Sequence, residues 1–292
     1  MLKGGVFMLA GIDIGSNSVR MLIGTVEDNK VRVADDYMAI TRLGQTSPGE
    51  PLNKVAVNQT LEALKSFKGV IAARRIEKEP IVVATSAVRE ALDSAEFIQQ
   101  INETMGWNVR VLSAAEEAEY AYRGATSAVL GNCIVIDAGG GSTELIWRAA
   151  DGTLQSRSVK VGSVRLLKRA LDDEELEAAL NPLLKGLPEG ERTLVGVGGT
   201  ITSLAAVLNG LSTYSRGPVE GYVMSMEPLE RIYKTLCNAT VQERLLTWPV
   251  LKERTDTIIP GTRIYLMLLK ILKAEKIIVS NSGLLDGVLL DV

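Results

Sequence analysis

The sequence contains no histidine, which excludes a Ser-His-Asp triad, a Cys-His pair, phosphohistidine chemistry and imidazole-ligated zinc. A hydrolytic base in such a chain must be a carboxylate, Lys, Tyr or Cys. Carboxylates working with a hard, oxygen-seeking cation such as Mg²⁺ are the natural remaining choice. Cysteine is almost as scarce: Cys133 and Cys237 stand far apart, without metal or redox spacing, and read as two thiols of a reduced cytoplasm. Aromatics make up only 4%, so the core must be built from Ala, Val, Ile and Leu. The N-terminus lacks the separate cationic and apolar regions of a signal peptide, because its apolar stretch runs straight into Asp13. Residues 264–272 are strongly apolar but are interrupted by Lys270 and too short for a bilayer. These absences point to a cytoplasmic protein that no membrane holds.

The 292 residues, 46% apolar and 23% charged, suffice for about two ordinary domains. A net charge of −3 argues against a protein wrapped around nucleic acid. Any polyanion must therefore meet a local basic patch. The stretch 153–171 supplies one: it holds Arg157, Lys160, Arg165, Lys168 and Arg169 and no acid.

Hydrophobic patterning predicts a strand over 8–14, the turn Gly15-Ser16-Asn17-Ser18, and strands over 19–26 and 31–40. Helix over 58–67 and a buried strand over 81–85 follow. Ser86 and Ser94 read as caps of two helices, the second ending at Gly106. A strand over 109–112 leads into a helix over 114–127. A second strand–turn–strand unit begins at 133–137 and turns through Gly139-Gly140-Gly141-Ser142 into 143–148. Helix is expected over 167–180, a Pro/Gly connection over 182–191, a strand over 193–198, a helix over 200–208 and a loop over 212–223. The remainder reads as mostly helical, with one strand at 276–280. Alternation of this kind gives α/β layers. Ile12-Asp13-Ile14-Gly15 and Ser18 align with Ile136-Asp137-Ala138-Gly139 and Ser142 at one constant offset, so the chain reads as two related halves. The expected domains are 1–122 and 123–292, with the break in the helix around 119–131. Met1 and Met8 both remain candidate starts.

Three glycine-bearing turns carry the candidate chemistry: Gly15–Ser18, Gly139–Ser142 and Gly198-Gly199-Thr200. Glycine lets the backbone approach an anion, and successive N–H groups form a concave nest for phosphate oxygens. The third turn opens a helix, whose free N–H groups also favour anions. The candidate phosphate ligands are Ser16, Asn17, Ser18, Arg89, Gly139, Gly140, Gly141, Ser142, Thr143, Arg165, Gly198, Gly199 and Thr200. Asp13 and Asp137 either hold a hydrated Mg²⁺ beside that phosphate or brace their turns. Ser113 and Glu116 form a capping box, which accounts for Glu116. Glu117 either favours the positive helix end or aligns a water. Glu144 closes the second turn and is a further catalytic or metal candidate. Arg89 reads as a cation in the first turn of its helix, against the dipole, a place more easily explained beside an anion.

Taken together, Gly11-Ile12-Asp13-Ile14-Gly15-Ser16-Asn17-Ser18, Ala84-Thr85-Ser86-Ala87-Val88-Arg89-Glu90-Ala91, the 113–118 segment, the 135–145 segment, Gly162-Ser163-Val164-Arg165-Leu166 and Gly196-Val197-Gly198-Gly199-Thr200 resemble the exopolyphosphatase/guanosine pentaphosphate phosphohydrolase (Ppx/GppA) phosphatases. They occur in family order along nearly the whole chain. The resemblance implies a duplicated actin-like ATPase fold, α/β in class, with two ribonuclease-H-like domains around a central cleft. It implies Mg²⁺-dependent release, with Mn²⁺ as a substitute, of terminal phosphate from inorganic polyphosphate or of the 5′ γ-phosphate from guanosine pentaphosphate. It also implies Glu117 as the base, with Glu144 and Asp137 as the matching loop acids and Asp13, Asp137 and Glu144 as metal candidates. Two departures stand out. The chain ends at Val292, where longer members continue into helical domains, so it resembles the short two-domain form. Leu285 stands in Ser282-Gly283-Leu284-Leu285-Asp286-Gly287 where family members often have Arg.

The expected partner is one of these two substrates, with neither nucleic acid nor membrane; monomer and homodimer are both open. Two other functions stay open at this level: a non-catalytic binder of polyphosphate or alarmone, and an ATP-dependent small-molecule kinase of the same fold.

Overall fold

In the computed structural model, which describes residues 7–45 and 49–292, the chain groups into two units. The first comprises Met1–Ser127 and Gly283–Val292, the second Ala128–Ser282. The candidate start Met1 lies outside the described residues.

In the first unit, β1 (Leu9–Ile14), β2 (Ser18–Glu27) and β3 (Lys30–Ile40) form an antiparallel meander. β4 (Ile81–Ala84) and β5 (Val109–Val111) run parallel to β1 and extend the sheet in the order β3-β2-β1-β4-β5. Helices α1 (Lys54–Ala73), α2 (Ser86–Arg89), α3 (Ser94–Met105) and α4 (Ala114–Thr126) connect these strands. The core is aliphatic, as the shortage of aromatics requires: Ile12, Ile14, Val19, Met21 and Ile23 from the sheet meet Leu61, Leu64 and Ile101 from α1 and α3.

The second unit repeats the plan. β6 (Cys133–Ala138), β7 (Thr143–Arg148) and β8 (Leu154–Val159) form a meander, followed by α5 (Ser163–Lys168) and α6 (Asp173–Leu180). β9 (Thr193–Val197) runs parallel to β6 and leads into α7 (Gly199–Leu208). Then come α8 (Arg216–Val219), β10 (Val223–Ser225), α9 (Met226–Asn238), α10 (Val241–Thr247), α11 (Ile258–Ile271) and β11 (Lys276–Val279), which pairs parallel to β9. The order is β10-β11-β9-β6-β7-β8. A meander beside parallel strands, made twice, is the duplicated ribonuclease-H-like arrangement of the actin-like ATPase fold. β1 and β6 share one burial pattern, with only the aspartate position less than buried. Among the described residues no helix is long and apolar enough to cross a membrane.

Several expectations need correction. The helix expected over 167–180 is two helices, because Asp172 caps α6 through a capping box with Glu175 and so interrupts the run. The loop expected over 212–223 holds α8 and leads into β10, whose antiparallel partner is β11. β8 escapes sequence reading because its polar residues Gln155, Ser156, Arg157 and Ser158 form a sheet edge with no apolar alternation. Thr85 and Asp93, not Ser86 and Ser94, occupy the N-cap positions of α2 and α3, without side-chain caps.

The last ten residues, assigned by sequence to the second domain, pack with the first unit. Here α12 (Leu284–Leu289) crosses α4 at two glycines: a Cβ on Gly124 would strike the Gly283 carbonyl, and one on Gly287 would strike the Tyr120 carbonyl. Beyond the crossing, Tyr120 donates to Asp291 at 2.8 Å and Arg123 reaches Asp291 and the Leu290 carbonyl, each at 2.7 Å. Leu285 lies against Gly11 of β1 and clusters with Leu9, Leu22 and Leu289. Gly287→Ala is expected to destabilise the first unit by about 3 kcal/mol, since backbone rather than a flexible side chain occupies the space. A lowered urea midpoint would report this.

Candidate functional site

Parallel strands bring their carboxyl ends to one edge of a sheet, where open α/β sheets bind ligands. In the first unit β1, β4 and β5 end side by side, and each runs into one of the motifs read from sequence. β1 delivers Asp13 and the turn Gly15–Ser18, closed by Gly15 N–H donating to the Ser18 carbonyl at 3.0 Å. β4 delivers Thr85 to Arg89, with Thr85 N–H on the Ile14 carbonyl and the Ser16 and Ser86 hydroxyls 3.0 Å apart. β5 delivers Ser113 to Glu117. The capping box is present, with Ser113 N–H donating to Glu116 and Glu116 N–H to the Ser113 hydroxyl. Arg110 holds the other Glu116 oxygen, and together these bonds keep the carboxyl down at about 2, the Ser113 backbone bond first.

Glu116 is thereby consumed by structure, and Glu117 is left facing the strand ends. One Arg89 nitrogen donates to the Leu112 carbonyl at 2.6 Å and to the Glu117 carboxylate at 3.2 Å. Arg89 lies at the C-terminal end of the four-residue α2, so the expected conflict with a helix dipole does not exist. Its placement is explained by Glu117 and Leu112 instead.

The second unit repeats the turn with different neighbours. Gly139 N–H donates to the Ser142 carbonyl at 2.9 Å. The carbonyls of Gly139 and Gly140 accept from the N–H groups of Ser163, Val164 and Arg165 at 2.9 to 3.2 Å. In a trans peptide the N–H opposes the C=O, and no peptide here is cis. Tying these carbonyls to α5 therefore turns the N–H groups of Gly140 and Gly141 the other way, where among the described residues they meet no acceptor. Gly162 makes this possible, because a Cβ there would lie 2.5 Å from the Gly140 carbonyl. The first unit uses the same device: the Ser16 carbonyl accepts from Gly44 at 2.7 Å, which turns the Asn17 N–H outward.

Beside that turn, Gly198 caps α7 with φ +87°, and its missing Cβ leaves room for Asp137 Oδ1. The first-turn N–H groups of Gly199 and Thr200 have no protein acceptor among the described residues. The Arg254 guanidinium lies directly on Gly199. Sequence reading missed Arg254, whose place in the turn before α11 carries no spacing signal. Arg165 donates to the Gly141 carbonyl at 2.6 Å.

Two expected phosphate ligands are corrected. Thr143 is fully buried and donates to the Val161 carbonyl at 2.7 Å, so it braces the turn. The Thr200 side chain is buried against Gly261 of α11, leaving only its backbone N–H for an anion.

Cross-strand register fixes what faces each aspartate. Asp13 pairs with Arg20, and Asp137 occupies the equivalent place opposite Glu144. Glu144 accepts from Ser158 at 3.1 Å and Ser142 at 3.3 Å. Burial first, then the neighbouring Glu117 carboxylate, pushes Asp13 up to about 7, against a lowering pull from Arg20. Burial and then Glu144 push Asp137 up to about 6. Among the described residues the buried Asp13 Oδ1 meets no hydrogen-bond partner. An orphaned carboxylate oxygen of this kind suits a hard cation. Among the described residues no three Asp, Glu or Cys side chains cluster as a metal cage. The donor set therefore fits an ion that keeps most of its water and takes phosphate oxygens, as Mg²⁺ does.

Each unit therefore sets a strand-end carboxylate beside outward-turned N–H groups and arginine, Arg89 in the first and Arg165 and Arg254 in the second, which suits phosphate. The chain belongs to the Ppx/GppA phosphatase family, whose model matches residues 22–292. It is 29% identical to exopolyphosphatase 2 of Mycobacterium tuberculosis, covering 97% of this chain and 98% of that one. It is 28% identical to the guanosine-5′-triphosphate,3′-diphosphate pyrophosphatase of Vibrio cholerae and 29% identical to a bifunctional 3-dehydroquinate synthase/phosphatase of Fusobacterium nucleatum. Each of these matches covers 98% of this chain, which spans 59% and 46% of those two longer proteins. The crystal structure of the type II variant of the Aquifex aeolicus Ppx/GppA phosphatase matches at TM-score 0.83 and 30% identity, over 98% of this chain and 99% of that one.

The raised Asp13 gives a signed prediction. The folded chain keeps the Asp13 proton up to about pH 7, whereas the unfolded chain loses it near 3.8, as an ordinary aspartate does. This carboxyl therefore erodes stability as pH rises through that window. In chelator at pH 8, Asp13→Asn should melt roughly 5 °C above wild type, and the gap should close below pH 4. Adding Mg²⁺ should raise the wild-type melting temperature more than that of the variant.

Proposed function

We propose that the chain is a phosphoanhydride hydrolase that releases terminal orthophosphate from inorganic polyphosphate, guanosine pentaphosphate or both. The observation that carries this reading is the meeting of Asp13, Arg89 and Glu117 at three adjacent parallel strand ends, on a chain of the Ppx/GppA family. Relatives named exopolyphosphatase and guanosine-5′-triphosphate,3′-diphosphate pyrophosphatase support it.

Glu117 takes a proton from a water whose oxygen attacks the terminal phosphorus. The bond from that phosphorus to the bridging oxygen breaks, and the shortened chain leaves. Such a transition state needs positioning and neutralised charge more than covalent help. Outward-turned N–H groups, that of Asn17 in the first unit and those of Gly140, Gly141 and the start of α7 in the second, are fixed positive ends suited to phosphate oxygens. Arg165 and Arg254 add charge beside the second-unit turns. Mg²⁺ is the proposed ion; the candidate ligands are Asp13, with its unpartnered oxygen, in the first unit and Asp137 beside Glu144 in the second, and the ion would neutralise phosphoryl oxygens. A cytoplasmic setting is part of the same proposal.

The test is phosphate release with Mg²⁺ from long and short polyphosphate and from guanosine pentaphosphate, wild type against Glu117→Gln. A loss of about a hundredfold or more in kcat is expected. An unchanged rate would move the base away from Glu117, and no release by wild type from any substrate would reject hydrolysis.

A further inference from the structure

Glu117 stands in the first turn of α4, and the phosphate chemistry uses nothing further along that helix. The next turn is nevertheless tied down firmly. Glu116 and Tyr120 lie four residues apart and so share a helix face. Arg110 of β5 spans them: one nitrogen donates to Glu116 and the other to the Tyr120 hydroxyl at 2.9 Å. Its guanidinium also lies 5.5 Å from the centre of the Tyr120 ring. Tyr120 in turn donates to Asp291, just beyond α12, at 2.8 Å. At the other end the Ser113 N–H donates to the second Glu116 oxygen at 2.9 Å. One chain of bonds thus joins Asp291, Tyr120, Arg110, Glu116 and Ser113, all of them in the first unit.

The chemistry of the groups fixes the direction of the chain. An arginine can only donate, and an ionised carboxylate can only accept. The Tyr120 bond first, with help from Arg123, holds Asp291 below the usual carboxylate range against the opposing effect of burial. A hydroxyl both accepts and donates, so Tyr120 can take a bond from Arg110 while giving one to Asp291. Arg110 and Glu116 alone would be a loose tether, because the Arg110 side chain is 53% exposed and an exposed ion pair holds geometry weakly. Tyr120 supplies a firm point instead: it is buried, and Gly287 of α12 lies directly on its carbonyl. Leu285 and Leu289 of the same helix lie against Gly11, two residues before Asp13. The short α12 therefore braces both the strand that carries Asp13 and the helix that carries Glu117.

We propose that Tyr120 and Asp291 are positioning residues for Glu117, which act through Arg110 and Glu116 by fixing the rotation of α4 about its axis. This rests on the phosphohydrolase reading, since it takes Glu117 as the base. Tyr120 lies three residues, just under one helical turn, beyond Glu117. A rotation of α4 that moved the Glu117 carboxylate off Arg89 would carry the Tyr120 hydroxyl off Asp291 at the same time. Arg89 and Arg110 thus hold two adjacent glutamates from different sides of the helix, one anchored on the Leu112 carbonyl and the other on Tyr120. A base displaced by a fraction of its bond length loses much of its rate, which gives a helix start good reason to be locked one turn away.

Tyr120→Phe keeps the ring and removes the one group that joins Arg110 to Asp291. For phosphate release from inorganic polyphosphate with Mg²⁺, it should lower kcat about tenfold and leave KM within about twofold. Asp291→Ala should do the same, and Asp291→Asn, which still offers Tyr120 an acceptor, should recover most of the rate. Arg123→Met cuts the other tie to Asp291 and Leu290 but leaves the chain intact, so it should lower the melting temperature without changing kcat. A readout free of turnover is the ¹³C resonance of the Glu117 carboxylate, assigned by its loss in Glu117→Gln. It should move in Tyr120→Phe and in Asp291→Ala, and hold its place in Arg123→Met. An unmoved resonance or an unchanged kcat in Tyr120→Phe would overturn the proposal. Equal kcat losses in Tyr120→Phe and Arg123→Met would do so too, making these contacts a general fastening of α12. If wild type released no phosphate, the hydrolase reading would fall, and the resonance would still decide whether Tyr120 sets the place of Glu117.

Discussion

A carboxylate buried at the end of the central strand is the constraint around which each unit is organised. Burial alone penalises the charged form of Asp13 and Asp137. Each nonetheless sits one residue before the strand end, immediately ahead of a turn held by a single glycine-to-serine backbone hydrogen bond. Nothing about a hairpin requires a buried acid. Asp13 leaves an oxygen without a partner, and Asp137 has Gly198 opened up beside it rather than a donor placed on it. Such a cost survives where the group performs a task that a satisfied residue could not.

The duplication makes the division of labour legible. The same strand pair and turn, built twice, puts an arginine opposite the aspartate in the first unit and a glutamate in the second. Arg20 pulls its aspartate toward ionisation, whereas Glu144 pushes its own away from it. The third strand diverges as well: Met38 completes the row in the first unit and Ser158, bonded to Glu144, completes it in the second. What the fold conserves is backbone: carbonyls tied behind each turn so that N–H groups face outward. What it varies is the charge and polarity of one cross-strand row.

Local signals made the central strands readable. β1, β6 and β7 are short, apolar and bounded by glycine, and their pairing follows from hairpin closure. The capping box at Ser113 could be read directly, because its two hydrogen bonds need only residues three apart. Edges were not legible. β8 alternates polar with polar, and β10 is three residues long, so neither carries the period that marks a half-buried strand. The break before α6 was written in Asp172 and Glu175 but masked by a helix-like run on both sides. The glycine turns themselves form as their sequence predicts, but two side chains within them turn inward. Thr143 and Thr200 sit in the right loops, yet packing against Val161 and Gly261 takes them inward. Arg254 reaches Gly199 from a distant segment, and no spacing rule foresees such a contact.

Glu117, the proposed base, is singled out by subtraction. Adjacent glutamates at a helix start would share the same attraction to the helix end, and nothing in that term separates them. The capping box does, since Ser113 and Arg110 together occupy both oxygens of Glu116. Among the described residues Glu117 has Arg89 as its side-chain partner, which the Leu112 carbonyl anchors beyond the end of β5. Anchoring the cation on backbone rather than on another carboxylate has a consequence. Arg89 does not need Glu117 to stay in place, and Glu117 is held without being enclosed, its side chain still about a third exposed at 35%. A carboxylate that is oriented, close to the Asp13 field and open to water meets the geometric demands on a base more fully than either the buried Asp13 or the saturated Glu116.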